Sequence, residues 1–340
     1  METQIVNLIQ EGLVEKKANL EQWHETATDE TREICLCSTD EAVLKAHLHV
    51  IDTSLQKIEE GTFGICEICR EAVDSELLQM DYTASVCLGH YTQEELRQLE
   101  SELELSQVIQ RALLPQKIPS IAGFDIAAFS RPAQIVSGDY FDFLQFRDGS
   151  HGLVVADVSG HGMSAGMLMT SLQTAFHTLV LGSDSPLEIL ERINHLYIHN
   201  INFSTFVTIF FASLNPQTKM LSYANAGHSS PFVYRRSTNE SIWLKPTGAA
   251  VGLMEYFNVQ PAQVQLMTGD ILVLYTDGIP EALNPQGDEQ FGYERLAEVI
   301  RQNESLPAEG LANKIRQALN EFTQGTLLAD DVTLVVSKVS

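Results

Sequence analysis

The sequence predicts an α+β protein, with a helical N-terminal third and a C-terminal domain built on antiparallel sheets. Three observations carry that expectation. Beyond Pro119, short apolar runs rich in Val, Ile, Phe, Tyr and Thr recur between Gly, Pro and Asp breaks, as strands do. Helical patterns are fewer there and sit in groups between the runs, which favours antiparallel sheets over a parallel alternation. Before Pro119 the apolar residues recur every three or four positions, the spacing of helix seams.

Taken in order, Ser38 and Glu41 form a capping-box pattern ahead of Leu44, Leu48, Ile51, Leu55 and Ile58. That narrow seam needs a partner, and Ile5, Leu8, Ile9, Leu13, Leu20 and Trp23 offer one, so residues 1–60 read as an antiparallel helical hairpin. Gly61 and Gly64 break the pattern. Cys66-x2-Cys69 follows, and seventeen residues later comes Cys87-x2-His90, two knuckles of thiolate and imidazole that suit one tetrahedral Zn2+. Cys35 and Cys37 fall outside the motif and read as ordinary intracellular thiols, because five unevenly placed cysteines do not make a disulfide framework. Residues 92–117 form a further helical segment. Leu96, Leu99 and Leu103 lie on one stripe, and Leu105, Val108, Ile109, Ala112 and Leu113 continue on a shifted face until Pro115 and Pro119. Two readings stand for it: a plain linker, or a signalling helix that also joins two copies as a homodimer.

Residues 118–340 carry the candidate strands FDIAAFS, GLVVADV, STFVTIFFASL, MLSYANAG, PFVYRR, DILVLYTDG and DVTLVVSKV, with helices expected at 162–181, 186–199, 292–303 and 307–322.

Composition narrows the function. A chain of 340 residues has room for a main domain and a smaller appended part, and 44% hydrophobic with 19% charged residues is ordinary for a globular protein. A net charge of −24 argues against nucleic acid as a partner, since phosphate neutralisation needs clustered Lys and Arg. METQIVNLIQEGLVEKK lacks a signal-peptide pattern, so a cytoplasmic protein is expected. Val158 to Ser183 has no Asp, Glu, Lys or Arg, yet its many Ser, Thr, His and Gln residues are too polar for a bilayer, so no membrane span is expected.

Chemistry gathers where strands meet turns. Asp139 lies in SGDYFDF, Asp157 ends GLVVAD, Asp277 follows ILVLYT, and Asp330 and Asp331 precede VTLVV. Each alone has an ordinary explanation as a turn or solvated residue. Together they offer hard oxygen ligands, with no His or Cys pair beside them, of the kind Mg2+ or Mn2+ prefers. Two such ions suit hydrolysis of a phosphate ester.

Two family resemblances sharpen these expectations. IEEGTFGICEICREAVDSELLQMDYTASVCLGH resembles a DksA/TraR-type zinc finger, with His90 in place of the usual fourth cysteine, so residues 61–91 are expected to form that finger. The ordered set ELELSQVIQRALLP, SGDYFDF, VADVSGHGMSAGMLM, FVTIFFASL, NAGHSSPFVY, LYTDGIPEA and DDVTLVV is similar to PPM-type phosphatases of the sporulation protein E subgroup. That resemblance implies a β-sandwich flanked by helices, two Mn2+ or Mg2+ ions, and removal of phosphate from phosphoserine or phosphothreonine. It implies Asp139 and Asp157 as catalytic metal ligands, the backbone carbonyl of Val158 as a further ligand, and Asp277 and Asp330 completing the second-metal side. Asp331, His161 and His228 are implied as supporting neighbours, and spacing leaves open whether Asp330 or Asp331 faces the ion. The implied substrate is a phosphorylated regulatory protein, an anti-sigma antagonist of the STAS kind. Ser137 stands where the subgroup commonly has glycine, and Arg131 is the nearest candidate for a phosphate-gripping arginine. The rival readings are an RNA-polymerase-binding transcription regulator acting through the finger, and a non-catalytic binding module that kept the fold.

Overall fold

The computed structural model describes residues 41–74, 77–78, 82–160, 162–183, 185–200, 205–326 and 328–340, with positions 6, 9–10, 12–14, 17–18 and 21 near the start. The chain divides into two compact units, Met1–Ser101 and Glu102–Ser340.

In the first unit, helix α1 (Glu41–Glu59) buries Ile51 completely, while Ile58 packs against a small core of Phe63, Cys66, Val73, Leu77 and Leu78 together with Val6 and Ile9. Lys17 Nζ donates to Asp52 Oδ1 on α1 at 2.6 Å. The proposed hairpin partner depends on Ile5, Leu8, Leu20 and Trp23, which lie outside the described residues, as do Ser38, Cys35 and Cys37. Gly61 and Gly64 both take positive φ, the left-handed backbone that glycine adopts without penalty, and so turn the chain out of α1 into the cysteine loop.

Helix α2 (Gln93–Leu113) opens on a reciprocal cap: Thr92 N–H and hydroxyl both donate to Glu95 Oε2 at 2.8 Å, and Glu95 N–H donates back to Thr92 Oγ1 at 3.3 Å. The boundary between the two units falls inside this helix. On the shifted face, Leu105, Val108 and Ile109 are 59%, 61% and 53% exposed, and the buried side chain of this helix is the polar Gln110.

The second unit has two five-stranded antiparallel sheets. One runs in the order β1-β10-β9-β6-β7, from strands β1 (Phe124–Arg131), β6 (Phe232–Arg235), β7 (Glu240–Trp243), β9 (Ile271–Tyr275) and β10 (Val332–Val339). The other runs β2-β3-β4-β5-β8, from β2 (Asp139–Gln145), β3 (His151–Val158), β4 (Val207–Asn215), β5 (Met220–Ala226) and β8 (Ala262–Gln265). Helices α3 (Gly162–Leu179) and α4 (Pro186–Asn200) cover the second sheet; α5 (Tyr293–Gln302) and α6 (Ala308–Thr323) cover the first. The result is a four-layer sandwich, helices outside and sheets inside.

Strand alternation explains the layers. Along β3, Leu153 and Val155 point into the core between the sheets, while Val154, Ala156 and Val158 point towards α3 and α4. Both faces of the central strands are covered, which is why GLVVADV reads as a near-continuous apolar run. Phe176 of α3 anchors the helical layer, with its ring 5.8 Å from Tyr140 and 4.9 Å from Phe211. The strands and helices expected between 118 and 340 all form; β2, with two aspartates in seven residues, was not among them, nor were β7 and β8, each four residues and partly exposed, whose burial patterns are too short to show alternation. No helix among the described residues is long and apolar enough to cross a membrane.

Candidate active site

At one end of the sandwich the residues facing the inter-sheet core change from apolar to polar. On β2 and β3 the apolar inner positions Phe141, Leu153 and Val155 give way to Asp139 and Asp157, which are direct cross-strand partners, and Asp157 in turn pairs with Thr208 of β4. On the opposing sheet, Leu274 and Val335 give way to Thr276 and Thr333, and Thr333 pairs with Ser130 of β1. Two polar rows therefore face one another across the mouth of the core.

They are joined directly. Thr276, fully buried, donates its hydroxyl to Asp139 Oδ2 at 2.7 Å and accepts the Thr333 N–H at 3.0 Å. Asp139 is 2% exposed. Burial first, then the negative charge of Asp157, hold its carboxyl well above the ordinary carboxylate range, while the hydrogen bonds from Thr276 and Thr333 act the other way.

The turns at this end supply the other carboxylates. Asp157 is pushed up to about 8 by burial and then by the charges of Asp277, Asp330, Asp331 and Glu281. Asp277 is pushed up to about 6 by burial, then Asp330 and Glu281. These mutual influences show that aspartates nearly two hundred positions apart in the chain share one corner. Packing enforces it: a side-chain carbon on Gly278 would lie 1.9 Å from the Asp331 carbonyl oxygen, so the Asp277–Gly278 turn is seated on the Asp330–Asp331 backbone. Among the described residues no three carboxylates are drawn together as tightly as the cysteine–histidine group described below.

Asp330 and Asp331 play different parts. Asp331 is buried and spends both oxygens on backbone, Oδ1 accepting from Ala133 N–H and Oδ2 from Gly138 N–H, each at 2.7 Å. It thereby holds the loop that delivers Asp139. Asp330 is exposed at the rim, with Oδ1 accepting the Asp331 N–H at 2.8 Å. Val158 turns its side chain into the helical layer, and its carbonyl lies 3.1 Å from where a Gly138 side-chain carbon would sit. Gly160 and Gly162 follow with positive φ. His161 between them lies outside the described residues.

His228 is buried and serves as a clamp. Its Nε2 lies 3.0 Å from the Tyr275 carbonyl, which can only accept, so Nε2 carries the proton and Nδ1 accepts from the Thr208 hydroxyl at 2.8 Å. Burial drives its pKa down to about 4. It is a neutral bridge between the sheets just behind the acidic corner. Asp142 faces the helical layer instead, accepting from Tyr140 hydroxyl and Phe143 N–H at 2.7 Å, with His177 Nε2 also at 2.7 Å. Arg131 ends β1 opposite Val332, exposed and one step from Asp331.

Helix α2 reaches this corner through Gln110, whose amide pairs with both backbone groups of Ser137: Nε2 donates to the carbonyl and Oε1 accepts the N–H, each at 2.8 Å. Ser137 Oγ then accepts the N–H of Asp139 at 3.1 Å. Gln110, Thr276, Thr333, Thr208 and Glu281 escaped sequence reasoning, and Ser137 was noted only as a replacement for glycine. The alternation of faces along β9 and β10 could have found the two threonines, because each falls on the inward parity of an otherwise apolar strand.

The first unit holds a separate cluster. Cys66, Cys69, Cys87 and His90 bring one ligand atom each within 4.8 Å of one another, with Cys66–Cys87 and Cys69–Cys87 sulfur distances of 3.6 Å. Thiolates about 2.3 Å from a tetrahedral Zn2+ are about 3.8 Å apart, so the set fits that ion. Burial works against ionisation of Cys66, but N–H groups of Cys69, Cys87 and Ile68 outweigh it and bring the thiol down to about 6, while burial and the neighbouring thiols push Cys87 up to about 11.

The comparisons agree with this architecture. A family model described as stage II sporulation protein E (SpoIIE) matches residues 147–340. Phosphoserine phosphatase RsbU of Bacillus subtilis (strain 168) is 30% identical over 267 residues, covering 76% of this chain and 78% of its own. The SiaA-PP2C domain of Pseudomonas aeruginosa aligns with a TM-score of 0.64 at 22% identity, over 72% of this chain and 99% of its own. The RsbU and RsbW domains of a Mycobacterium tuberculosis protein align with a TM-score of 0.57 at 26% identity, over 67% of this chain and 63% of theirs. With the family model spanning more than half of the sequence and the Bacillus relative matched over most of its length, the chain belongs to the SpoIIE family of PPM-type phosphatases.

Proposed function

We propose that the chain is a metal-dependent phosphoserine/phosphothreonine protein phosphatase acting in a bacterial partner-switching pathway. The observation that carries this is the single corner shared by Asp139, Asp157, Asp277 and Asp330. Four carboxylates placed there, two of them raised far above their ordinary range by burial and by one another, are costly unless cations balance them. Asp139, Asp157, the Val158 carbonyl, Asp277 and Asp330 are the residues we assign to hold two Mn2+ or Mg2+. When bound, such ions acidify water for attack on phosphorus and offset the charge of the phosphoryl group. The chain's own contribution is placement: Asp331 holds the loop before Asp139, and His228 ties the sheets together behind it. We assign Asp330 over Asp331 as ligand, because the Asp331 oxygens are both engaged by backbone N–H groups.

The substrate we infer is a phosphorylated regulatory protein of the STAS kind, in keeping with the similarity to a phosphoserine phosphatase. Residues 1–60 with the finger at 61–91, which we assign one Zn2+ on Cys66, Cys69, Cys87 and His90, form the regulatory part, followed by the linker at 92–117 and the catalytic domain at 118–340. Cytoplasmic placement and a homodimer through α2 belong to the same reading; the exposed Leu105, Val108 and Ile109 support the latter.

The deciding experiment measures Mn2+-dependent hydrolysis of a chromogenic phosphate ester by wild type and Asp157→Asn. Turnover should fall at least about a hundredfold in the variant, since a first ligand is lost while shape is kept. Equal turnover, or none in wild type with either ion, would remove the basis of the assignment and leave a binding module on the same fold.

A further inference from the structure

We propose that Thr276 is a positioning residue: its hydroxyl presets the Asp139 carboxylate for cation binding, reaching across from the opposite sheet. This rests on the two-ion reading of the acidic corner. Thr276 directly precedes Asp277 in the turn after β9 and is fully buried. The direction of its hydrogen bonds is forced. A backbone N–H can only donate, so the Thr333 amide, 3.0 Å away, occupies an acceptor site on Oγ1. The hydroxyl proton is then free to point at Asp139 Oδ2, 2.7 Å away.

Asp139 is otherwise held through its backbone, by Ser137 Oγ on its N–H and by Asp331 on the adjacent Gly138 N–H, and its carboxylate has a further neighbour in the Thr333 side chain, whose hydroxyl also reaches Ser130 Oγ at 3.1 Å. The backbone contacts place the residue beside its cross-strand partner Asp157, and of the two threonines that act on its carboxylate Thr276 has the larger effect. The Thr276 hydroxyl restricts the rotation of that carboxylate by engaging Oδ2 at 2.7 Å. The same residue also links the ligand on β2 to the ligand after β9, so the two halves of the corner keep their spacing. Threonine and not valine is required, although the two have nearly the same shape.

The test is direct Mn2+ binding by titration calorimetry on the full zinc-loaded chain, with the thermal midpoint in chelator recorded for each variant. Thr276→Val should bind Mn2+ at least about tenfold more weakly than wild type, the scale on which groups orienting a metal ligand act, and Thr276→Ser should stay within about threefold. Should Thr276→Val fail to fold, Thr276→Cys replaces it; its thiol is a weaker donor of similar size, so its binding must fall below that of the serine variant. Equal affinity in the valine variant and wild type, or in the cysteine and serine variants, overturns the role of Thr276 and leaves the two-ion reading intact. A wild type that binds no Mn2+ overturns both.

Discussion

Asp157 on β3 and His228 just after β5, with β4 between them, pull the pH dependence of stability in opposite directions. Asp157 has its folded pKa raised to about 8 and Asp277 to about 6, both above the ordinary value of 3.8. Raised carboxyls contribute stability that is complete below pH 3.8 and is lost as pH climbs through 6 and 8. His228 has its folded pKa lowered to about 4 from 6.5, so its contribution is complete above 6.5 and disappears as pH falls through 4. In chelator the melting temperature should therefore decline from pH 6 to pH 8.5, by a free energy on the order of a few kcal/mol, and Asp157→Asn should flatten that decline. Mn2+ should restore the alkaline limb of wild type and not of the variant. A melting temperature that rises between pH 6 and 8.5 without metal would contradict the burial of these carboxylates. At this scale the aspartates were legible because acidic residues at strand ends stand out from apolar runs. Thr276 and Ser137 were not, since a threonine in YTDG or a serine before Gly138 looks like turn chemistry until its hydroxyl is seen on a partner from another strand.

At the level of elements, α2 carries a buried side chain that its periodicity did not single out. Its apolar residues Leu105, Val108 and Ile109 are exposed, and a glutamine is buried in the turn that they flank. Helical periodicity assigns faces by hydrophobicity, and it cannot foresee that one amide will match the N–H and C=O of an extended residue such as Ser137. Gln110→Ala leaves two buried backbone groups without partners, at about 1–3 kcal/mol each. The melting temperature of the catalytic unit should drop, and turnover should fall with it, because Ser137 carries the N–H contact of Asp139. Unchanged melting and turnover in Gln110→Ala would show that α2 does not hold the site. The helical layer was more readable: α3 to α6 all begin and end within two residues of the expected bounds, since each has an apolar stripe wide enough to cover a sheet.

For the whole molecule, the two units have separate cores, one around Phe63, Cys66 and Leu78, the other in the three apolar interfaces between the four layers of the sandwich. A fragment spanning Glu102–Ser340 keeps all of the sandwich together with Gln110, so it should fold and hydrolyse a chromogenic ester with Mn2+. Stripping zinc from the full chain should lower only the melting step of the first unit, which calorimetry would resolve; a single step moving as one would show that the units unfold together. The sequence by itself determined the class of fold, seven of its ten strands, the zinc-type knuckles and the identity of the acidic residues, because alternation, helix seams and ligand spacing are local properties of the chain. Only the tertiary structure decided which carboxylates meet, that Asp331 braces a loop while Asp330 faces the rim, and that a threonine of one sheet hydrogen-bonds an aspartate of the other. Those contacts join residues up to two hundred positions apart, and they arise from the packing of two sheets face to face, which no local pattern encodes.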